Sequence, residues 1–401
     1  MKRRPLEGIH VIEIGAYISA PYAGALLAAL GAEVVKVEPP EGEAFRRGVG
    51  VSSPYFVQYN TGKKSIAVDL KSADGRKAVE SLLPRFDVLL ENMRPRKLAA
   101  LGLGPDVCRR INPRLVYSSV TGFGSGGPLV DRPAYDSIGQ SVGGLYSIMN
   151  DADDLRLTGT CLADLITAIT ATMGILAALV GRSQDPEHRG PVVETSIMEA
   201  VSTLTIDAMT QAFETGENPV RETRHPQAQN FCLHTASGQA ITLHLSSSEK
   251  FWRSLMEAVG REDLVDDPRF RRYGDRAKPD NFSQLKEILE TEFVKQPRSE
   301  WERRLEEADV PFAPALTLRE VAGHPQMQWL RLLTHPYDGQ ALVQPPWRFD
   351  GERPARVETA PQVGEHTWQV LRDVYSETEL EALASKGTIA GPKPGAGETR
   401  V

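Results

Sequence analysis

The chain has 401 residues, 41% hydrophobic and 25% charged, with a formal net charge of −7. That length exceeds one small core and suits two domains, and the acidic balance excludes a general nucleic-acid-binding surface. Cys108, Cys161 and Cys232 show no C-x-x-C spacing, so neither a disulfide framework nor a cysteine metal site is expected, and a reducing cytoplasm fits.

Near the start, Lys2, Arg3 and Arg4 precede an uncharged run over 14–32, a pattern shared with signal peptides and membrane spans. Glu13, Pro21 and Gly24 break that pattern. They favour a strand over 9–14, a helix over 22–30 closed by Gly31, and a strand over 33–38, which together make a βαβ unit. No membrane partner is therefore expected. Strands follow over 65–70, 87–91 and 115–120, with an amphipathic helix over 73–85. This alternation implies a Rossmann-like parallel sheet with helices on both faces, an α/β large domain. Ligands of such sheets sit beyond the carboxyl ends of the strands. The loops there are 17–21, Lys71, 92–97 and the glycine-rich 122–128. No G-x-G-x-x-G follows the first strand, so the dinucleotide fingerprint is absent.

Asp164 is the only charge between Leu157 and Val180. From Leu162 onward the pattern predicts a buried helix. A carboxylate in its first turn meets unpaired N–H groups and the positive end of the dipole, which would hold it ionised as a nucleophile requires. A helix-capping acid is the plainer alternative. Asp136 follows Tyr135 and lies close in sequence to Arg132, where an ion-paired turn acid is the alternative to a catalytic one. The histidines form neither H-x-x-x-H nor H-E-x-x-H, and G-x-S-x-G is absent, so neither a metal site nor a serine-hydrolase elbow is expected.

Residues 1–216 are expected to form most of the large domain. The Pro- and Arg-rich stretch 217–238 reads as a linker. A strand over 239–245 and helices over 248–259, 281–291 and 299–308 predict a smaller α+β domain over 239–335. The chain then returns to the large domain over 336–385, and 386–401 reads as a flexible tail.

Taken in order, several separated stretches carry a resemblance. They are Pro5-Leu-Glu-Gly-Ile-His-Val-Ile-Glu13, Leu30-Gly-Ala-Glu-Val-Val-Lys-Val-Glu38, and Asn60-Thr-Gly-Lys-Lys-Ser-Ile-Ala-Val-Asp-Leu-Lys71. Further on come Asp87-Val-Leu-Leu-Glu-Asn92, Asn112-Pro-Arg-Leu-Val-Tyr117 and Ala360-Pro-Gln-Val-Gly-Glu-His-Thr367. From Leu6 to about Leu371 the chain resembles the family III CoA-transferases, the group that also holds the α-methylacyl-CoA racemases. The resemblance implies that CoA and acyl-CoA are substrates, with no tightly bound cofactor, and that a small carboxylic acid is the other partner. It also implies an interlocked homodimer in which the small domain of one chain closes over the large domain of the other. By the same resemblance Asp164 falls at the nucleophilic aspartate and Asp136 at an active-site acid. Tyr135 stands where the racemase branch has a histidine, and a tyrosine, ordinarily ionising near ~10, is a poor base. Transfer is thus favoured. Racemisation of a 2-methylacyl-CoA with Asp164 as base, and non-catalytic CoA binding, are the alternatives.

For CoA the resemblance points to Ile18, Ser19, Val68, Asp69, Leu70, Lys71, Asn92, Met93, Arg94, Lys97 and Arg132. Pro39 and Ala100 stand where relatives often carry arginine, so Lys63, Lys64, Arg94, Arg96 and Lys97 are the candidate sources of phosphate charge. The glycine-rich loop of formyl-CoA transferase has no counterpart between Pro219 and Gly238, which speaks against formyl-CoA and oxalate. Succinyl-CoA is a candidate donor, because Arg224 or His225 would pair with a second carboxylate; an exposed polar linker is the alternative there.

Overall fold

The computed structural model describes residues 4–46, 53–337, 340–354 and 358–393. The chain divides into two units. The first holds parallel strands β1 His10–Ile14, β2 Glu33–Glu38, β3 Lys64–Val68, β4 Val88–Glu91, β5 Val116–Thr121 and β6 Val192–Ser196, ordered β3-β2-β1-β4-β5-β6. Since β1 pairs with β2 on one side and β4 on the other, the winding reverses there, which opens a crevice at the carboxyl ends of both.

Successive residues of each strand face opposite layers. Val11, Val34, Val88 and Val116 pack on one side with Ala20, Ala23, Ala168, Ala171 and Ile175 from the helices Ser19–Ala29 and Leu162–Gln184. Ile12, Val35, Ile66 and Leu89 pack on the other with Val79, Leu82, Trp368 and Leu380. Leu162–Gln184 is long and apolar enough to cross a membrane by length and composition alone. It is not buried all round as expected, since Met173 and Val180 are 66% and 58% exposed.

Charges are buried inside this sheet. Glu13 of β1 lies opposite Lys36 of β2 and accepts from its Nζ at 3.0 Å, while Lys63 Nζ donates to the other oxygen of Glu13 at 2.7 Å and to Pro21 O and Asn60. A Cβ on Gly24 would strike the Glu13 carboxylate, so only glycine fits beside this pair. Glu38 accepts two bonds from Arg46 at 2.8 Å each and one from Ser65.

The second unit comprises Ser147–Leu155 and Asp207–Met327. Strands Asn230–His234, Ala240–His244 and Phe312–Pro314 form an antiparallel sheet. Their core side, with Phe231, Leu233, Ile241 and Leu243, packs with Trp252, Leu285, Phe293 and Trp301 from the helices Glu249–Val259, Pro279–Phe293 and Arg298–Glu307.

Three expectations are corrected. Asn230–His234 is a strand inside the stretch read as linker; Phe231 and Leu233 point inward while Cys232 and His234 point out, a short alternation hidden by polar neighbours. Ile389–Ala390 pairs antiparallel with β3, so this part of the stretch read as a tail belongs to the sheet, and 394–401 lie outside the described residues. The helix over 73–85 ends at Leu82 and continues as a 3₁₀ turn, Leu83–Arg85, because Pro84 has no N–H to extend it.

Candidate active site

The loops that leave β1 to β5 surround one cavity of about 580 Å³ in the first unit. Every residue picked out by resemblance for CoA lines it: Ile18, Ser19, Val68, Asp69, Leu70, Lys71, Asn92, Met93, Arg94, Lys97 and Arg132. Tyr135 and Asp164 line it too. Asp136 does not; it reaches Asp164 from behind. Sequence reasoning missed the loop after β2, where Pro39, Glu41, Gly42, Glu43 and Ala44 form another wall. That loop also leaves a parallel strand at its carboxyl end, and this was the available signal.

The helix Leu162–Gln184 begins without a side-chain cap of its own. Asp136, at the start of the helix Asp136–Val142, supplies one from a distance. Its Oδ1 accepts the N–H groups of Ala163 at 2.9 Å and Asp164 at 3.2 Å, and its Oδ2 accepts from Gln140 at 2.6 Å. Gln140 is itself held by Thr158 and Thr160 O. Asp136 therefore takes N–H groups at the helix start that were expected to hold Asp164 ionised. Burial, and then the Asp136 charge, push the Asp164 carboxyl up to about 7.

The loop between β1 and the helix Ser19–Ala29 is clamped from the two strands that flank β1 and the loops that follow them. Lys36 Nζ donates to Gly15 O at 2.7 Å. Asn92 accepts from Ala16 N at 3.0 Å and donates to Ala16 O and Ser19 Oγ, so its amide positions the loop while the residue lines the cavity. Glu43 accepts from Tyr17 N at 3.1 Å. Glu91 lies buried under the next loop, accepting from Met93 N and Ser119 Oγ, and burial pushes it up to about 7.

The cations divide into two sets. Lys71, Arg94, Lys97 and Arg132 line the cavity and suit an anionic ligand. Lys63 does not, because its Nζ is buried against Glu13 and burial lowers it to about 7; Lys64 pairs with Glu33 at 2.8 Å, at the amino end of β3. Arg96, in the left-handed region at φ 65°, starts the short helix Lys97–Ala100 and is absent from the lining. Arg224 and His225, expected to pair with a second substrate carboxylate, are engaged within the second unit by Asp207 at 3.4 Å and Glu222 at 3.1 Å. Among the described residues no group of three His, Cys, Asp or Glu is placed to hold a metal.

A doubly wound sheet whose switch-point cavity carries cations beside a half-buried carboxyl group has the chemistry to suit an anionic ligand. Residues 6–367 match CoA-transferase family III, and the chain belongs to that family and is a CoA-transferase. It is 30% identical to the succinate–glutarate CoA-transferase of Agrobacterium fabrum, over 96% of this chain and 98% of that one. It is 32% identical to the acetyl-CoA:oxalate CoA-transferase of Acetobacter aceti, over 80% and 83%. A CAIB/BAIF family protein from Brucella suis superposes with a TM-score of 0.81 at 27% identity, covering 93% of this chain and 100% of that one.

Proposed function

We propose that the enzyme moves CoA between two carboxylic acids through Asp164. The observation that carries this is the position of Asp164: first turn of a helix, half-buried, on the wall of a cavity lined by Lys71, Arg94, Lys97 and Arg132. An ionised Asp164 oxygen attacks the thioester carbonyl of the donor acyl-CoA; the C–S bond breaks, CoA thiolate leaves, and a mixed anhydride remains. The thiolate then attacks the Asp164 carbonyl carbon, releasing the donor carboxylate and forming an aspartyl–CoA thioester. The acceptor carboxylate displaces the thiolate from that thioester. The thiolate finally attacks the acceptor's acyl carbon, giving the new acyl-CoA and a free Asp164. Desolvation around Asp164 limits hydrolysis of both intermediates.

Succinyl-CoA, suggested by the relatives' acids, is the first donor to try. We expect a cytoplasmic homodimer with no tightly bound cofactor, since the three thiols are free and the outer face of Leu162–Gln184, with Ile169, Met173 and Val180, is apolar and exposed. Sedimentation of the purified protein as a monomer would end the dimer part of the proposal.

Intact mass after mixing with succinyl-CoA, with hydroxylamine or borohydride trapping, tests the mechanism. A CoA-sized adduct or its trapped derivative at Asp164 is the expected result. An Asp164→Ala protein that retains full transfer would refute it. A carboxyl held near 7 is also a competent base, which favours racemisation of a 2-methylacyl-CoA as the second reading. That reading predicts exchange of the α-proton with deuterated water, without any adduct.

A further inference from the structure

Tyr17 stands at φ 66°, in the left-handed region that bulky residues avoid. Such strain persists only where the surroundings over-determine it, and it clusters at functional positions. Here the surroundings are the buried Lys36, the buried Glu43 and Asn92, which fix Gly15, Ala16 and Tyr17 from β2, the loop after it and the end of β4. What this construction places is a ring. The Tyr17 ring meets Phe45 edge-on at 5.3 Å and Tyr135 edge-on at 5.9 Å. Tyr17 and Tyr135 line the same cavity as Asp164 and stay 40% and 60% exposed, so both rings have free surface. Phe45 also meets Tyr59 at 6.4 Å, and the Tyr59 hydroxyl lies 4.0 Å from Cys161 Sγ at the start of the Asp164 helix, so the ring cluster adjoins the Asp164 end of the cavity. Lys71, Arg94 and Lys97 instead follow β3 and β4.

We propose that Tyr17, with Tyr135, forms an aromatic wall for the acyl group, and that one of the two acids exchanged carries an aryl or similarly flat apolar body. The proposal rests on the transfer mechanism above and narrows its substrate class. Edge-to-face and offset contacts with a substrate ring suit two rings held near a right angle, here 83°. A dicarboxylate would need a cation for its second charge. Arg224 and His225 are already paired in the second unit, and Arg132, three residues before Tyr135, is the competing feature.

The test charges the enzyme with succinyl-CoA and discharges it with phenylacetate or glutarate, comparing kcat/KM for the two acceptors. Phenylacetate should exceed glutarate by about tenfold, and Tyr17→Leu should collapse that ratio. A ratio that favours glutarate, or one that Tyr17→Leu leaves unchanged, would overturn the proposal. If Tyr17→Leu does not fold, the wild-type ratio and Tyr135→Leu decide instead. Failure of every donor to label Asp164 would sink the transfer mechanism itself. Labelling by succinyl-CoA followed by preferred discharge to glutarate would sink only the aromatic wall.

Discussion

Asp164→Asn should stabilise the protein, and by an amount that depends on pH. Burial first, then the neighbouring Asp136, push the Asp164 carboxyl up to about 7 from an ordinary 3.8. A carboxyl whose pKa is raised on folding contributes its stability fully below the unfolded value and loses it as pH rises through the folded value. The gap of about three units corresponds to about 4 kcal/mol lost by the wild type between acid and pH 8, at ~1.4 kcal/mol per unit. Part of that loss is already present at pH 5, above the unfolded pKa. The difference between variant and wild type should therefore grow by about 2–3 kcal/mol from pH 5 to pH 8, then flatten. Urea denaturation of both proteins at pH 5, 6, 7 and 8 reads this directly. A difference that stays constant across the series would mean that Asp164 ionises in the ordinary carboxylate range, and the argument from burial would fail.

Labelling of Asp164 by succinyl-CoA should speed up as pH rises through about 7, because the proposed mechanism uses the anion as nucleophile; a flat rate in quenched mass measurements across that range would contradict this. Asp136→Asn keeps an oxygen for the N–H groups of Ala163 and Asp164 but removes a charge, so the midpoint of that profile should move to lower pH. Asp136→Ala should in addition cost about 1 kcal/mol in denaturation as a lost helix cap. Glu43→Gln retains an acceptor for Tyr17 N–H, whereas Glu43→Ala releases the loop. Transfer should fall about tenfold or more in the alanine variant alone, and equal losses in both would show that the charge matters and the clamp does not. Lys71→Ala should raise KM for acyl-CoA in a salt-dependent way, while Lys63→Ala should lower stability by about 3 kcal/mol by stranding part of Glu13, and the reverse pattern would undo the division of the cations.

Much of the first unit was legible because its signals are local. The strand over 33–38 was read to the residue, since apolar valines flanked by Gly31 leave few alternatives. The cavity was legible as well, because parallel sheets place the loops that follow their strands at one end, and residues such as Lys71 and Asn92 follow β3 and β4 there. The role of each residue was not. Lys63 looks like a surface cation available to a phosphate, yet it closes a buried ion pair with a strand fifty residues earlier, and Asn92, read only as a CoA contact, also brackets the backbone of Ala16. Such partners are set by strand order, which no local pattern encodes. The helix Ile197–Thr215 escaped notice for a related reason: its apolar residues do not keep to one face, and Ile206 and Phe213 are exposed.

Asp136 shows how one tertiary contact can change the chemistry of a carboxylate at a helix start. A carboxylate in the first turn of a helix is ordinarily stabilised by the free N–H groups there. At Leu162–Gln184, N–H groups of Ala163 and Asp164 go to Asp136 instead, so Asp164 faces a second negative charge in the place where it would have met partial positive charge. The carboxylate that caps the helix also adds to the effect of burial in raising Asp164. For transfer this has a use. A carboxylate with fewer hydrogen-bond donors is a stronger nucleophile when ionised, and near pH 7 a substantial fraction is ionised. In the proposed mechanism, the stability that the resting enzyme forgoes at Asp164 is thus the same quantity that makes its anion reactive, which is why Asp164→Asn should gain stability as it loses labelling.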